Sequence, residues 1–259
     1  MLITLTTDFG LAGPYVAAMK GVILSINPAA TIVDVSHAVR PQDVRGGALL
    51  LADVVHWYPA GAIHVAVVDP GVGTARRIVA FEAAGQRFVG PDNGLFSRIT
   101  AVVQPERIVA VENPRYRLSP TSATFHGRDI MAPAAAHLSL GLDLETLGPR
   151  LESIATLDWR EPEAQADRLL GQIESIDAFG NLITNVRAGH LAALGPGKPT
   201  IACDGTTIEG VLQTYGEGAA GELVALVGSS GRLELAVVGG SAAARLNAQV
   251  GDSVVVTRG

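Results

Sequence analysis

At 259 residues, 48% of them hydrophobic and few aromatic, the chain can form one large domain or two modest ones with real cores, in an ordinary soluble α/β composition. Nineteen basic against 25 acidic residues give a net charge of −6 without any basic run, which argues against nucleic acid as a partner and for a small substrate. The single cysteine, Cys203, excludes an internal disulfide framework and a multi-cysteine metal cage, and reads as an inert strand residue. The N-terminus, MLITLTTDFG, reads as a first strand and no apolar run reaches membrane-spanning length, so a cytoplasmic location is expected.

Residues 2–7 form a buried strand that delivers Asp8, Phe9 and Gly10 at its end. Gly13-Pro14 opens a helix over Tyr15 to Ile26, which Asn27-Pro28 stops. Thr31 to Val35 is a second strand, and residues 43–57 read as helical before the turn Tyr58-Pro59-Ala60-Gly61. Ile63 to Val68 is the third strand. It runs into VAVVDPGVGTARR, where Pro70 must break the ladder immediately after Asp69 and two glycines turn the chain back to Arg76 and Arg77. Ile78 to Glu82 and Gln86 to Val89 read as a hairpin, followed by the turn-rich GPDNG, a strand over Arg107 to Val111, and a helix from about Ile130 to Leu140. This alternation predicts a largely parallel, helix-covered sheet. His126, in FHGRD, stands just before the last helix, where free N–H groups make a natural ligand site.

The charged stretch DWREPEAQAD marks a change of character. We read residues 1–157 as an N-terminal α/β domain, 158–168 as a linker, and 169–259 as a smaller β domain. Sixteen of the 30 glycines fall in the last 89 residues, between short Val/Ile/Leu runs, which favours a small antiparallel β-barrel or sandwich. Gly195-Pro196-Gly197-Lys198 lacks the spacing of a phosphate loop, and the remaining histidines show no metal-ligand spacing.

Taken jointly, TTDFG, DPGVGTAR, GPDNG, FHGRD, IDAFGNLITN and SSGRLELAVVGGSAA resemble the S-adenosylmethionine hydrolase (hydroxide adenosyltransferase) family, the water-using relatives of the bacterial fluorinase and chlorinase. The resemblance runs nearly end to end and implies a Rossmann-like N-terminal domain. It also implies attack of water on the ribose 5′-carbon of S-adenosylmethionine, giving adenosine and methionine without cofactor or metal. Asp69, Arg76 and His126 match the residues that hold the water. Asp8 matches the ribose-binding aspartate, the alternative being a cap on the helix that follows.

The resemblance places Asp177 and Asn181 at methionine and adenine, Ser229 at the methionine end, and backbone near Glu234 to Val238 at adenine. Tyr215 is a candidate for stacking on the base or for ordinary barrel packing, and Phe125 for lining the site or the core. In the halogenating relatives the positions of Asp69 and His126 are typically tyrosine and that of Gly127 a small hydroxyl residue. A carboxylate there would repel a halide by about 4 kcal/mol at 4 Å in an effective dielectric of 20. A homotrimer is implied, with the large domain of one subunit and the small domain of its neighbour forming the site. The alternatives are halide transfer, a nucleoside sensor without turnover, and a metal-dependent hydrolase using Asp8, Asp69, Asp92 and His126.

Overall fold

The structure, a computed structural model, describes residues 1–259, which divide into two compact units, Met1–Asp158 and Trp159–Gly259. The first unit runs β1 (Leu2–Thr7), α1 (Tyr15–Ile26), β2 (Thr31–Ser36), α2 (Val44–Val54), β3 (Ile63–Val67), β4 (Ile78–Ala83), β5 (Gln86–Pro91), α3 (Ser97–Thr100), β6 (Arg107–Ala110) and α4 (Ala132–Ser139). Its six strands lie in the order β2-β1-β3-β5-β4-β6. The pairs β1/β2, β1/β3 and β3/β5 are parallel, while β4 is antiparallel to both β5 and β6, as the hairpin reading expects.

Strand β3 is buried along its whole length because both faces of the sheet are covered. Val65 and Val67 pack with Met19 and Ile23 of α1 and the alanines of α4, whereas Ala66 and Val68 pack with Leu51 of α2 and the cluster Phe81, Phe88 and Phe96. The helix expected over 43–57 is two pieces. Asp43 caps α2 by accepting from Gly46 N at 2.8 Å, and the run tightens into a 3₁₀ turn, Val55–Trp57, before Pro59.

His64 stands fully buried in β3, its Nδ1 2.8 Å from Thr4 Oγ1 and its ring stacked on Phe88. Burial pushes its pKa down to about 4 from 6.5, since the imidazolium would have to shed its water. The unfolded chain therefore binds this proton first. Full stability is present above about pH 6.5 and is lost as pH falls to about 4, where the deficit reaches about 3 kcal/mol. In urea titrations at pH 7 and pH 4, His64→Gln should flatten the difference; an unchanged difference would show that other groups cause it.

The second unit runs β7 (Glu163–Ala164), β8 (Arg168–Ile176), β9 (Leu182–Arg187), α5 (Ala188–Ala193), β10 (Thr200–Cys203), β11 (Thr206–Glu209), β12 (Leu223–Val227), β13 (Arg232–Val237), α6 (Ala242–Leu246) and β14 (Ser253–Thr257). Strand pairing is antiparallel in the order β11-β10-β14-β8-β9-β13-β12, with β7 beside β8. Leu212 N donates to Ala225 O at 2.8 Å, drawing the β11 end of the sheet toward β12 and nearly closing a barrel. Leu169, Ile173, Leu182, Leu233, Leu235 and Val254 are among the residues that fill it. Cys203 is buried in β10 and burial pushes its thiol pKa up, consistent with an inert strand residue. No helix is long and apolar enough to cross a membrane.

Candidate active site

In the first unit β1 sits between β2 and β3, so successive connections leave it in opposite directions. A crevice opens at the carboxyl ends of strands at such a switch point. The register pairs Thr7 with Val67, which brings the loops carrying Asp8 and Asp69 off adjacent strands at the same end.

The Asp69 loop is built by local turns. Val72 N donates to Asp69 O, Thr74 N to Gly71 O, and Thr74 Oγ1 to Gly71 O, bending the chain until Arg76 faces Asp69. Gly73, at φ +79°, lies against Ala123; a Cβ there would come 2.4 Å from the Ala123 carbonyl oxygen, so only glycine lets this loop meet the segment before His126. Asn93, of the GPDNG turn, donates through Nδ2 to Val68 O at 2.9 Å and holds the strand end from which Asp69 projects. Asp92 accepts from Arg77 and from Ala155 N, so this pair supports the site as turn builders.

His126 arrives from the other side. The helix expected from Ile130 begins earlier, as a π-helical turn over Gly127–Met131 that continues into α4. Pro133 has no N–H, which frees the Asp129 carbonyl, and Leu118 N takes it at 2.8 Å. The Asp129 carboxylate accepts from Arg128 and from Ser122 N, pinning the loop ahead of His126; these hydrogen bonds hold its pKa below the usual carboxylate range despite burial. A Cβ on Gly127 would lie 3.3–3.4 Å from Val67 and Met19 side-chain atoms, so the helix starts in close contact with the end of β3.

These elements bring Asp69, Arg76 and His126 together from remote parts of the chain. Arg76 Nε donates to Asp69 Oδ1 at 2.8 Å, its Nη2 donates to Asp69 Oδ2, and the same Nη2 lies 2.9 Å from His126 Nδ1. The carboxylate and guanidinium side chains are 5% and 10% exposed, so the bidentate pair is buried. A guanidinium only donates; Nδ1 is therefore the acceptor and the ring proton of His126 sits on Nε2. Burial, followed by the neighbouring Arg76 charge, lowers the His126 pKa and keeps the imidazole neutral.

Asp8 is not a helix cap, since Pro14 occupies the α1 N-cap without a side-chain bond. Its Oδ2 accepts from Gln42 N at 2.7 Å, where the chain adopts φ +65°. Phe125 is half-buried in a cluster with Phe9 and Tyr15, ring centroids 5.3–5.8 Å apart, beneath Arg128.

The other four expected binding residues lie in the second unit, around one cavity of about 920 Å³ lined by Asp177, Asn181, Tyr215 and Ser229 together with Phe179 and Glu234. Asp177 and Asn181 form one locked turn: the carboxylate accepts from Phe179 N, Asn181 N and Asn181 Nδ2, each at 2.9 Å. Gly180, at φ +83°, packs where a Cβ would strike Ser241. Phe179, 78% exposed, and the buried Glu234 side chain are lining residues that the sequence reading did not single out. An aromatic in a glycine turn was a usable signal for the first, whereas a lone acid in an apolar strand pointed nowhere by itself. No three His, Cys, Asp or Glu side chains are grouped so as to hold a metal; of the set Asp8, Asp69, Asp92 and His126, Asp8 accepts from Gln42 N and each of the other three faces an arginine.

Family models described as the SAM hydroxide adenosyltransferase N-terminal and C-terminal domains match residues 3–148 and 171–255. A protein of Thermus thermophilus named (R)-S-adenosyl-L-methionine hydrolase is 42% identical over 255 residues, covering 95% of each chain. A fluorinase of Nocardia brasiliensis is 31% identical, covering 100% of this chain and 97% of its own. An uncharacterized conserved protein from Thermotoga maritima has a crystal structure that superposes with a TM-score of 0.93, at 35% identity and full coverage of both chains.

Proposed function

The chain belongs to the SAM hydroxide adenosyltransferase family, and from that membership we propose that it hydrolyses S-adenosylmethionine to adenosine and methionine. The observation that carries this reading is the Asp69–Arg76–His126 cluster at the carboxyl edge of the sheet, in a chain 42% identical to a protein named for this hydrolysis. A water oxygen bonds to the ribose 5′-carbon as the carbon–sulfur bond breaks, and the electron pair leaves with sulfur. The departing thioether is neutral, so no general acid is required. The protein has to orient the water in line and take its proton, and positioning of this kind lowers a barrier by roughly 7–11 kcal/mol at best.

The three groups divide that work. Nδ1 of His126 is occupied by Arg76, so the imidazole offers Nε2–H as a donor to the water, and the Asp69 carboxylate, with lone pairs beyond the two used by Arg76, receives the proton. Asp8 holds the ribose diol. Phe125 lines the nucleoside face of the first unit, Tyr215 stacks on the base, Asn181 meets the adenine edge, and Asp177 and Ser229 meet the methionine end. We take residues 1–157 as a Rossmann-like catalytic domain and 169–259 as the substrate-binding β domain, joined by 158–168. A cytoplasmic homotrimer in which the large domain of one subunit and the small domain of its neighbour share each substrate molecule fits the division of these residues between the units. S-adenosylmethionine is a substrate here, and the reaction needs no cofactor.

The curated relatives' names specify the R sulfonium, which we take as the preferred epimer. The test is incubation of the pure protein with each epimer in ¹⁸O-labelled water. Label in the adenosine 5′-hydroxyl, formed faster from the R epimer, is expected; no turnover of either epimer overturns the reading. Asp8→Ala should raise KM and the adenosine Kd about 10- to 100-fold, the loss of hydrogen bonds to a charged acceptor, with kcat within a few-fold. A fall in kcat at unchanged Kd would remove Asp8 from the ribose.

A further inference from the structure

Tyr215 stands at the rim of the second-unit cavity, 43% exposed, on a 3₁₀ turn over Tyr215–Glu217. The turn is anchored by a reciprocal cap between Thr214 and Glu217, but nothing in it fixes the direction of the phenol ring. That direction is set from the other wall. The Tyr215 hydroxyl donates to Oε1 of Glu234, a residue 6% exposed in the middle of β13 between the fully buried Leu233 and Leu235.

An acid in that position is costly. Burial raises the pKa of Glu234, and burial together with the Glu234 charge pushes the Tyr215 phenol up to about 12. An apolar pair of similar volume would serve the barrel better if packing were the sole purpose. The surrounding backbone is shaped to admit the carboxylate. The β13/β9 register shifts between Arg232 and Glu234, and Gly228 leaves room where a Cβ would lie 2.5 Å from Glu234 Oε2. Both residues line the same cavity as Asn181 and Ser229.

We propose that Glu234 is a positioning residue for substrate affinity: by accepting the Tyr215 hydroxyl it holds the phenol ring as a fixed wall of the cavity against which the nucleoside base packs. The inference rests on the hydrolase reading, which places the base at this cavity. A rim tyrosine freed from its tether samples rotamers that do not present the wall, and apparent affinity falls by the fraction of time the ring is out of place. Chemistry at the 5′-carbon, carried by the first unit, does not depend on that ring once substrate is bound.

The test is a double-mutant cycle on the full chain with Tyr215→Phe and Glu234→Ala, read by adenosine Kd in calorimetry and by the split between KM and kcat. Each single variant is expected to raise Kd and KM roughly 10-fold with kcat changed less than about 3-fold, and the double variant to be no weaker than the weaker single. Glu234→Ala should bind more weakly than Glu234→Gln, which retains a neutral acceptor for the hydroxyl. Should Glu234→Ala fail to fold, Tyr215→Phe, which deletes one oxygen, carries the test. Unchanged Kd and KM in the single variants, or fully additive losses, would overturn the role of the pair. The native protein's ¹⁸O assay judges the hydrolase reading separately.

Discussion

Asp69→Asn should cut kcat for S-adenosylmethionine by about a thousandfold, within the 10²–10⁴ range for loss of a positioned proton acceptor, while the adenosine Kd moves less than about threefold. The substitution preserves volume and removes the charge. It also turns one of the two oxygens facing the Arg76 fork into an NH₂ group, so donor meets donor and the guanidinium keeps one of its two bonds to this side chain. On the proposed reading the attacking water then loses both its proton acceptor and the rigid frame that aims it. In that reading the carboxylate meets the water and the nucleoside is held elsewhere, so binding should survive. Single-turnover product analysis and calorimetry on the same preparation check this, and a variant with near-native kcat would remove Asp69 from the chemistry.

Arg76→Met carries the largest expected stability effect. It leaves the Asp69 carboxylate, 5% exposed, without its counter-charge, and breaking a buried pair from one side costs about 3–5 kcal/mol. In a chain of this size that corresponds to a Tm lower by roughly 10 °C. Turnover should fall with it. The His126 pKa should rise, since the neighbouring positive charge that helps to depress it is gone while burial remains, and NMR titration of the imidazole reads that shift directly. The paired change Asp69→Leu with Arg76→Met removes both charges and should recover much of the stability with no activity. If the single variant melts like the native protein, the pair is not the buried clamp described above.

Much of the architecture was legible along the chain. The pattern over residues 2–7, 15–26 and 63–68 carried its period and its stop signals locally, in Pro14, Asn27-Pro28 and Pro70, and the observed elements begin and end within a residue of those readings. The start of the helix behind His126 was less legible. Its first turn is π-helical, with Ala132 N donating to Gly127 O, and the Asp129 carbonyl that Pro133 cannot use is taken by Leu118 N, an exchange between segments that periodicity does not encode. Asp177 and Asn181 were singled out through the family resemblance, and their mutual hydrogen bonds depend on how the turn between them closes.

The residues and their order determined by themselves which side chains stand at strand and helix ends: Asp8 after the first strand, Asp69 before an obligatory break, His126 before a helix. Those are local consequences of proline, glycine and apolar spacing. The tertiary structure alone decided that one guanidinium bridges Asp69 and His126, which fixes the imidazole proton on Nε2, and that Tyr215 is tethered to an acid 19 positions away. Contacts of that kind depend on the register of separate strands and on close backbone approaches such as that at Gly73, where a Cβ would meet the Ala123 carbonyl.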